Sequence, residues 1–175
     1  MHNKWKFWYF EPQKNVAWEK NLKEVKEIGT VEEFWAVYNN IKLPSEIGSM
    51  CSYFFFKVHL KPMWEDEGNK NGGRWLITFN KQKKEFSVDE KWLEVVSQSS
   101  KFLEQFVEKR LKNILDFVND CVFQLLCLIG EAFGDDGEDI CGAVVDVRAK
   151  FDKISIWTKD CNNKDRIMKI GYVYT

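Results

Sequence analysis

From Lys4 to Phe10 apolar and polar positions alternate with the period of a strand, placing Trp5, Phe7 and Tyr9 on one face and Lys6, Trp8 and Phe10 on the other. Both faces are largely apolar, which predicts a strand covered on both sides. Glu11, Pro12 and Asn15 then mark a loop in which Trp18 stands apart from any apolar run. Leu22 to Ile28 reads as a short strand. Thr30-Val-Glu-Glu33 makes a capping box and opens a helix with Phe34, Tyr38 and Ile41 on one face and Val31 and Trp35 on a neighbouring stripe. Cys51 to Val58, with Phe54, Phe55 and Phe56, predicts a deeply buried strand, and Trp75 to Phe79 a second; the two read as a long hairpin. Ser87 and Glu90 form another capping box ahead of a helix carrying Trp92 and Leu93. Ile140 to Val147 and Ile154 to Trp157 read as strands joined by a turn bearing Arg148, Lys150 and Lys153, and Asn163 to Tyr174 begins like a helix. Strands interspersed with helices, with short links between successive strands, predict an α+β fold: a mostly antiparallel sheet with helices on one face.

The connection Lys61 to Trp75 carries the densest candidate chemistry. Trp64 and Glu65 set a flat π-face beside an acceptor-only carboxylate, and Gly72-Gly73 lets the backbone turn into the strand that begins with Arg74 and Trp75. A planar base can stack on one and hydrogen-bond to the other; a Trp packed on the core beside solvated acids is the plain alternative. Composition shifts the balance. Eight Trp and fourteen Phe exceed what core filling usually demands, so some aromatics are expected to face a ligand or partner. A net charge of −1 argues against general phosphate or membrane binding, so any nucleic-acid recognition must be local. Five Cys, at 51, 121, 127, 141 and 161, lack CxxC spacing and suggest neither a disulfide framework nor a zinc site. Reduced thiols, with no leader-like start and no membrane-length apolar run, place the expected location in the cytoplasm and also the nucleus. Enzyme motifs such as GxSxG, a P-loop or HExxH are missing, and Asp135, Asp136, Glu138 and Asp139 lack calcium-loop spacing, so neither catalysis nor a metal is expected.

Several long motifs then arrive in order: Trp5 with Trp8, Trp18, Thr-Val-Glu-Glu-Phe-Trp-Ala-Val-Tyr-Asn-Asn, the central loop, Leu-Leu-Cys-Leu-Ile-Gly-Glu at 125 to 131 and Cys-Gly-Ala-Val-Val-Asp-Val-Arg-Ala-Lys at 141 to 150. Together they closely resemble the eukaryotic translation initiation factor 4E family, which binds the 7-methylguanosine cap of messenger RNA. The resemblance covers Lys4 to Val95 and again Leu125 to about Tyr174. It implies a single cap-binding domain over 1–175, a curved sheet with helices on its convex back, and the cap in the concave face. Trp18 and Trp64 would sandwich the methylated base, Glu65 would bond the guanine edge and Trp157 would touch the methyl group. Arg148 and Lys153 would hold the phosphates, supported by Arg74 and Lys150. On the back, Val31, Trp35, Leu93, Glu94, Leu126 and Gly130 match the surface that docks a helical Tyr-x-x-x-x-Leu-Φ segment of scaffold factor 4G or of 4E-binding proteins. No cofactor is implied. The role implied is recruitment of mRNA for translation initiation.

The chain departs from the family at 96–124, an insertion that interrupts the docking helix. Its Val-Ser and Phe-Gln ends can be encoded by splice-donor and splice-acceptor sequences in frame, so it reads as a retained intron; its helical spacing from Leu103 to Ile129 also reads as an extra helix. Weakened scaffold binding is expected. Phe151 stands where the family has Gly, and a positive φ there would strain the phosphate turn. The chain ends before the family's final helix and strand, which leaves a sheet edge exposed, and lacks its N-terminal tail. The alternative is therefore an aberrant or decoy form with impaired partner binding and weak or no cap binding.

Overall fold

The computed structural model describes residues 3–81, 87–98 and 138–174. Six strands form one sheet: β1 (Trp5–Phe10), β2 (Leu22–Ile28), β3 (Ser52–Lys57), β4 (Gly73–Asn80), β5 (Ile140–Asp146) and β6 (Phe151–Thr158). Their order is β2-β1-β3-β5-β6-β4, every pairing is antiparallel, and the curved sheet does not close. Helices are α1 (Trp18–Asn21), α2 (Val31–Tyr38), α3 (Val88–Gln98) and α4 (Lys164–Tyr174), with a 3-10 turn at Pro44–Glu46.

The hairpin expected between β3 and β4 does not form. β3 lies between β1 and β5, and among the described residues β4 pairs only with β6, at the far edge of the sheet. Burial explains the difference: all six residues of β3 are buried, as a strand flanked on both sides and covered on both faces requires, whereas β4 alternates half-buried and exposed positions as an edge strand does. The β5–β6 hairpin does form, with β6 beginning three residues earlier than its apolar run, at Phe151 rather than Ile154. Phe151 is therefore extended and paired with Asn80; the only non-glycine residues with positive φ among those described are Asn15 and Met50, so the strain expected in that turn is absent.

Alternation sends side chains to two cores. On the helix-bearing face Trp5, Phe7, Phe55, Val145, Ile154 and Ile156 pack with Phe34 and Tyr38 of α2, Trp92, Val95 and Val96 of α3 and Ile170 of α4. Thr30 Oγ1 accepts the Glu33 N–H while Glu33 accepts the Thr30 and Gly29 N–H groups, so the capping box forms as read. α2 ends at Tyr38, however, and Ile41 packs against the same core from beyond the helix. The opposite, concave face carries a smaller aromatic core of Trp8, Phe54, Phe56, Leu60, Cys141, Val144 and Trp157. Gly142 permits this packing, because a Cβ there would lie 2.4 Å from the Phe56 ring. Of the span read as an insertion, 96–98 ends α3, with Val96 buried in the core; its remainder lies outside the described residues.

Candidate functional site

The loop from Lys61 to Gly72 is held by two side chains that the sequence pattern did not single out. Asn69, buried, donates from Nδ2 to the carbonyls of Lys61 (2.7 Å) and Met63 (2.9 Å). Asp66 accepts from the Lys61 N–H at 3.1 Å and the Gly68 N–H at 3.0 Å, and its carbonyl takes the Asn69 N–H. An Asx pattern of this kind was visible in Asp66-Glu-Gly68. Gly72 then passes so near β6 that a Cβ would sit 1.8 Å from the Thr158 carbonyl oxygen. Close approach is what requires glycine here. Cys141, at the start of β5, donates to the Gly68 carbonyl at 3.5 Å, and burial pushes its thiol up to about 11. The second half of the loop is thus tied to β5 and β6, and Asp66 and Asn69 brace its first half, which carries Trp64 and Glu65.

Those two residues line a cavity of about 490 Å³ on the concave face, together with Trp18, Arg74, Arg148 and Trp157. The size suits a small-molecule or nucleotide ligand. Five of its lining side chains are aromatic. Trp18, the first residue of α1 and 43% exposed, stacks on Phe10 at 5.4 Å and meets Phe54 edge-on. Trp64, 40% exposed, stacks on Trp157 with centroids 3.6 Å apart and planes 14° from parallel, and the Arg74 guanidinium lies 6.0 Å from its ring. Trp18 and Trp64 therefore share a cavity, but one face of Trp64 is occupied by Trp157. The Trp157 indole N–H is buried with no hydrogen-bond partner among the described residues.

Charge is divided within the cavity. Glu19, Glu65 and Asp146 supply carboxylates, Arg74 and Arg148 guanidinium groups. Asp146 had not been singled out. It accepts from Ser52 Oγ at 2.6 Å and from Arg148 Nη2 at 2.9 Å. Buried Asp152 accepts the Arg148 N–H at 3.1 Å and pairs with Lys81 at 3.0 Å, fixing the β5–β6 turn and with it the start of the Arg148 side chain. Lys153 lies on the same face of β6 as Ser155 and Trp157, across from Asp146, with its ammonium 5.3 Å from the Phe151 ring. Lys150 is exposed in the turn and does not line the cavity.

Of the acids near residue 138, Glu138 faces buried Lys57 and Asp139 pairs with Arg166 at 2.8 Å, while Asp135 and Asp136 lie outside the described residues. Burial holds the Lys57 ammonium below its usual range. Among the described residues no group of His, Cys, Asp or Glu is arranged to hold a metal ion, and no helix is long and apolar enough to cross a membrane.

On the helix-bearing face, Trp35 and Leu93 are half-buried against one core, with Trp35 edge-on to Phe34 and Tyr38. Glu94 pairs with Lys91 at 3.0 Å. Val31 opens α2, and Leu126 and Gly130 lie outside the described residues.

Three comparisons bear on this geometry. A family model described as eukaryotic initiation factor 4E matches residues 1–124 and 112–175. Human eukaryotic translation initiation factor 4E is 44% identical over 174 residues, 99% of this chain and 67% of the relative. Among solved structures, Ascaris suum eIF4E-3 in complex with the m7G cap superposes with a TM-score of 0.78 at 38% identity, covering 99% of this chain and 81% of that one. C. elegans eIF4E-3 in complex with the 4E-binding protein Mextli and a cap analog gives 0.76 at 36% identity, covering 99% and 82%.

Proposed function

The chain belongs to the eukaryotic initiation factor 4E family, and from that premise we propose that it binds the 7-methylguanosine cap of mRNA and recruits the message for translation initiation. The observation that carries this is the convergence of Trp18, Trp64, Glu65, Trp157 and Arg148 on one cavity. N7-methylation makes guanine cationic, so each indole face gains a cation–π contribution of about 1–2 kcal/mol once desolvated, and a carboxylate on the Watson–Crick edge complements the same charge. To complete the sandwich Trp64 leaves Trp157. Breaking that stack costs about 0.5–1.5 kcal/mol, less than two cationic stacks return, so ligand entry wins for the methylated base and is marginal for the unmethylated one. Glu65 accepts from the guanine N1 and N2 hydrogens, and Trp157, uncovered, contacts the methyl group. Arg148 and Lys153 receive the phosphates, supported by Arg74 and Lys150.

The back of the sheet docks the helical segment of scaffold factor 4G or a 4E-binding protein, with Trp35 and Leu93 as apolar contacts. An insertion over 96–124, as an extra helix or a retained-intron segment, weakens this docking more than cap binding. A role in translation favours the cytoplasm, and free thiols are compatible with the nucleus as a second location. Trp18, Trp64, Glu65, Trp157, Arg74 and Arg148 lining one cavity disfavour the decoy alternative. Retention on 7-methyl-GTP resin, released by 7-methyl-GTP and not by GTP, is the expected behaviour; flow-through of folded protein would refute it. Co-elution of a 4E-binding peptide tests the back separately.

A further inference from the structure

Of the eight Trp in the chain only two are followed by an acid, in Trp18-Glu19 and Trp64-Glu65, and all four of these residues line the cavity. Glu65 takes the guanine edge, whereas Glu19 is not used by any of the cap contacts above. It also differs from the third carboxylate, Asp146, which is held by Ser52 Oγ at 2.6 Å and by Arg148 Nη2 at 2.9 Å. Among the described residues no hydrogen bond or ion pair holds the Glu19 side chain. The rings packed on Trp18 are uncharged, Phe10 at 5.4 Å and Phe54 at 6.4 Å. The guanidinium groups are engaged elsewhere, Arg74 at 6.0 Å from the Trp64 ring and Arg148 on Asp146. The Trp18 wall therefore presents an indole face and one negative charge.

We propose that Glu19 is a specificity-determining residue of the cavity, its carboxylate favouring the positively charged 7-methylguanine over neutral guanine from the Trp18 wall. The inference rests on the cap-binding reading and names a residue that sets its preference for the methylated base. Guanine and 7-methylguanine present the same N1 and N2 hydrogens, so the hydrogen bonds to Glu65 reward both. Glu19 has no such edge to meet and acts by charge alone, which only the methylated ring carries. With Glu65 on the opposite wall, the delocalised positive charge of the base is met by an indole face and a carboxylate from each side. Because Glu19 is exposed, its share of the discrimination is a factor of about two to five.

The test is the ratio of 7-methyl-GTP to GTP affinity in wild type, Glu19→Gln and Glu19→Asp, each checked for folding by circular dichroism. Both nucleotides carry the same triphosphate, so its repulsion by Glu19 cancels in the ratio. Glu19→Gln keeps the size and polarity of the side chain and removes the charge; the ratio should fall about two- to fivefold at low salt. Glu19→Asp keeps the charge and should hold the ratio above that of the Gln variant. As salt contracts the Debye length from about 30 Å to about 3 Å, wild type and Glu19→Gln should converge, which a packing role for the side chain would not produce. Equal ratios in wild type and Glu19→Gln at low salt would overturn the assignment, as would an Asp variant no better than Gln; in either case a wild-type preference for 7-methyl-GTP would leave the cap reading standing. A wild type that binds both nucleotides equally, or neither, refutes the cap reading and the role of Glu19 with it.

Discussion

Asp146 is a carboxylate in the path assigned to a triphosphate, and its contact with Arg148 at 2.9 Å sets the two roles against each other. It orients the guanidinium, yet it neutralises that charge and repels phosphate. At partial exposure the repulsion is worth roughly 1 kcal/mol and falls with salt. Asp146→Asn keeps an acceptor for Ser52 and Arg148 and removes the charge, so 7-methyl-GTP should bind several-fold more tightly at low ionic strength, with the gain shrinking in high salt by isothermal titration. Unchanged affinity at low salt would mean the phosphates lie elsewhere. Asn69 acts through geometry instead: its two bonds to loop carbonyls are the internal brace beneath Trp64. Asn69→Ala should lower stability in urea by about 1–3 kcal/mol and weaken 7-methyl-GTP binding in parallel. Neither residue stood out in the sequence, because a lone Asn in a polar loop, or a lone Asp at the end of an apolar strand, shows its partners only once the chain is folded. Trp64 and Glu65 do line the cavity, but an aromatic beside an acid in a loop left the packed-Trp reading open, and it was the run of motifs along the rest of the chain that pointed to a site.

At the scale of elements, a signal whose parts lie close together was read correctly and a pairing that depends on distant partners was not. The capping box at Thr30 formed because its donors and acceptors lie within three residues of one another. It also carries a pH dependence. N–H groups of Gly29 and then Thr30 hold the Glu33 carboxyl below the usual carboxylate value. Its contribution is therefore fully present above that value and is lost as pH falls through the lower folded pKa. Glu33→Gln should flatten this part of the acid limb when thermal stability is followed from pH 6 downward to about pH 3; an identical acid limb would show that the cap is already open in solution. The expected β3–β4 hairpin failed for the opposite reason. Chain proximity suggested pairing, but β5 and β6 take the positions between, and the two-sided burial of Phe54, Phe55 and Phe56 was itself the sign of a central strand with neighbours on both edges. Phe151 shows the same limit, since whether a turn residue is left-handed or extended depends on where the next strand starts to pair.

For the molecule as a whole, the two faces of one sheet divide the work. The helix-bearing face holds the large core and the half-buried Trp35 and Leu93, and the concave face holds the aromatic cavity. Near-neutral net charge is compatible with binding a highly charged ligand because the 26 Lys and Arg are balanced overall by 27 Asp and Glu, while Arg148, Lys150 and Lys153 fall close together around the β5–β6 turn. The central claim is that a cationic purine draws Trp64 away from Trp157 and onto itself. Tryptophan fluorescence of the folded chain, titrated with 7-methyl-GTP against GTP and repeated with Trp64→Ala, measures this directly. The account predicts saturable quenching by 7-methyl-GTP, far weaker quenching by GTP, and loss of the difference in Trp64→Ala. Folded protein whose emission responds equally to both nucleotides, or not at all, would contradict it.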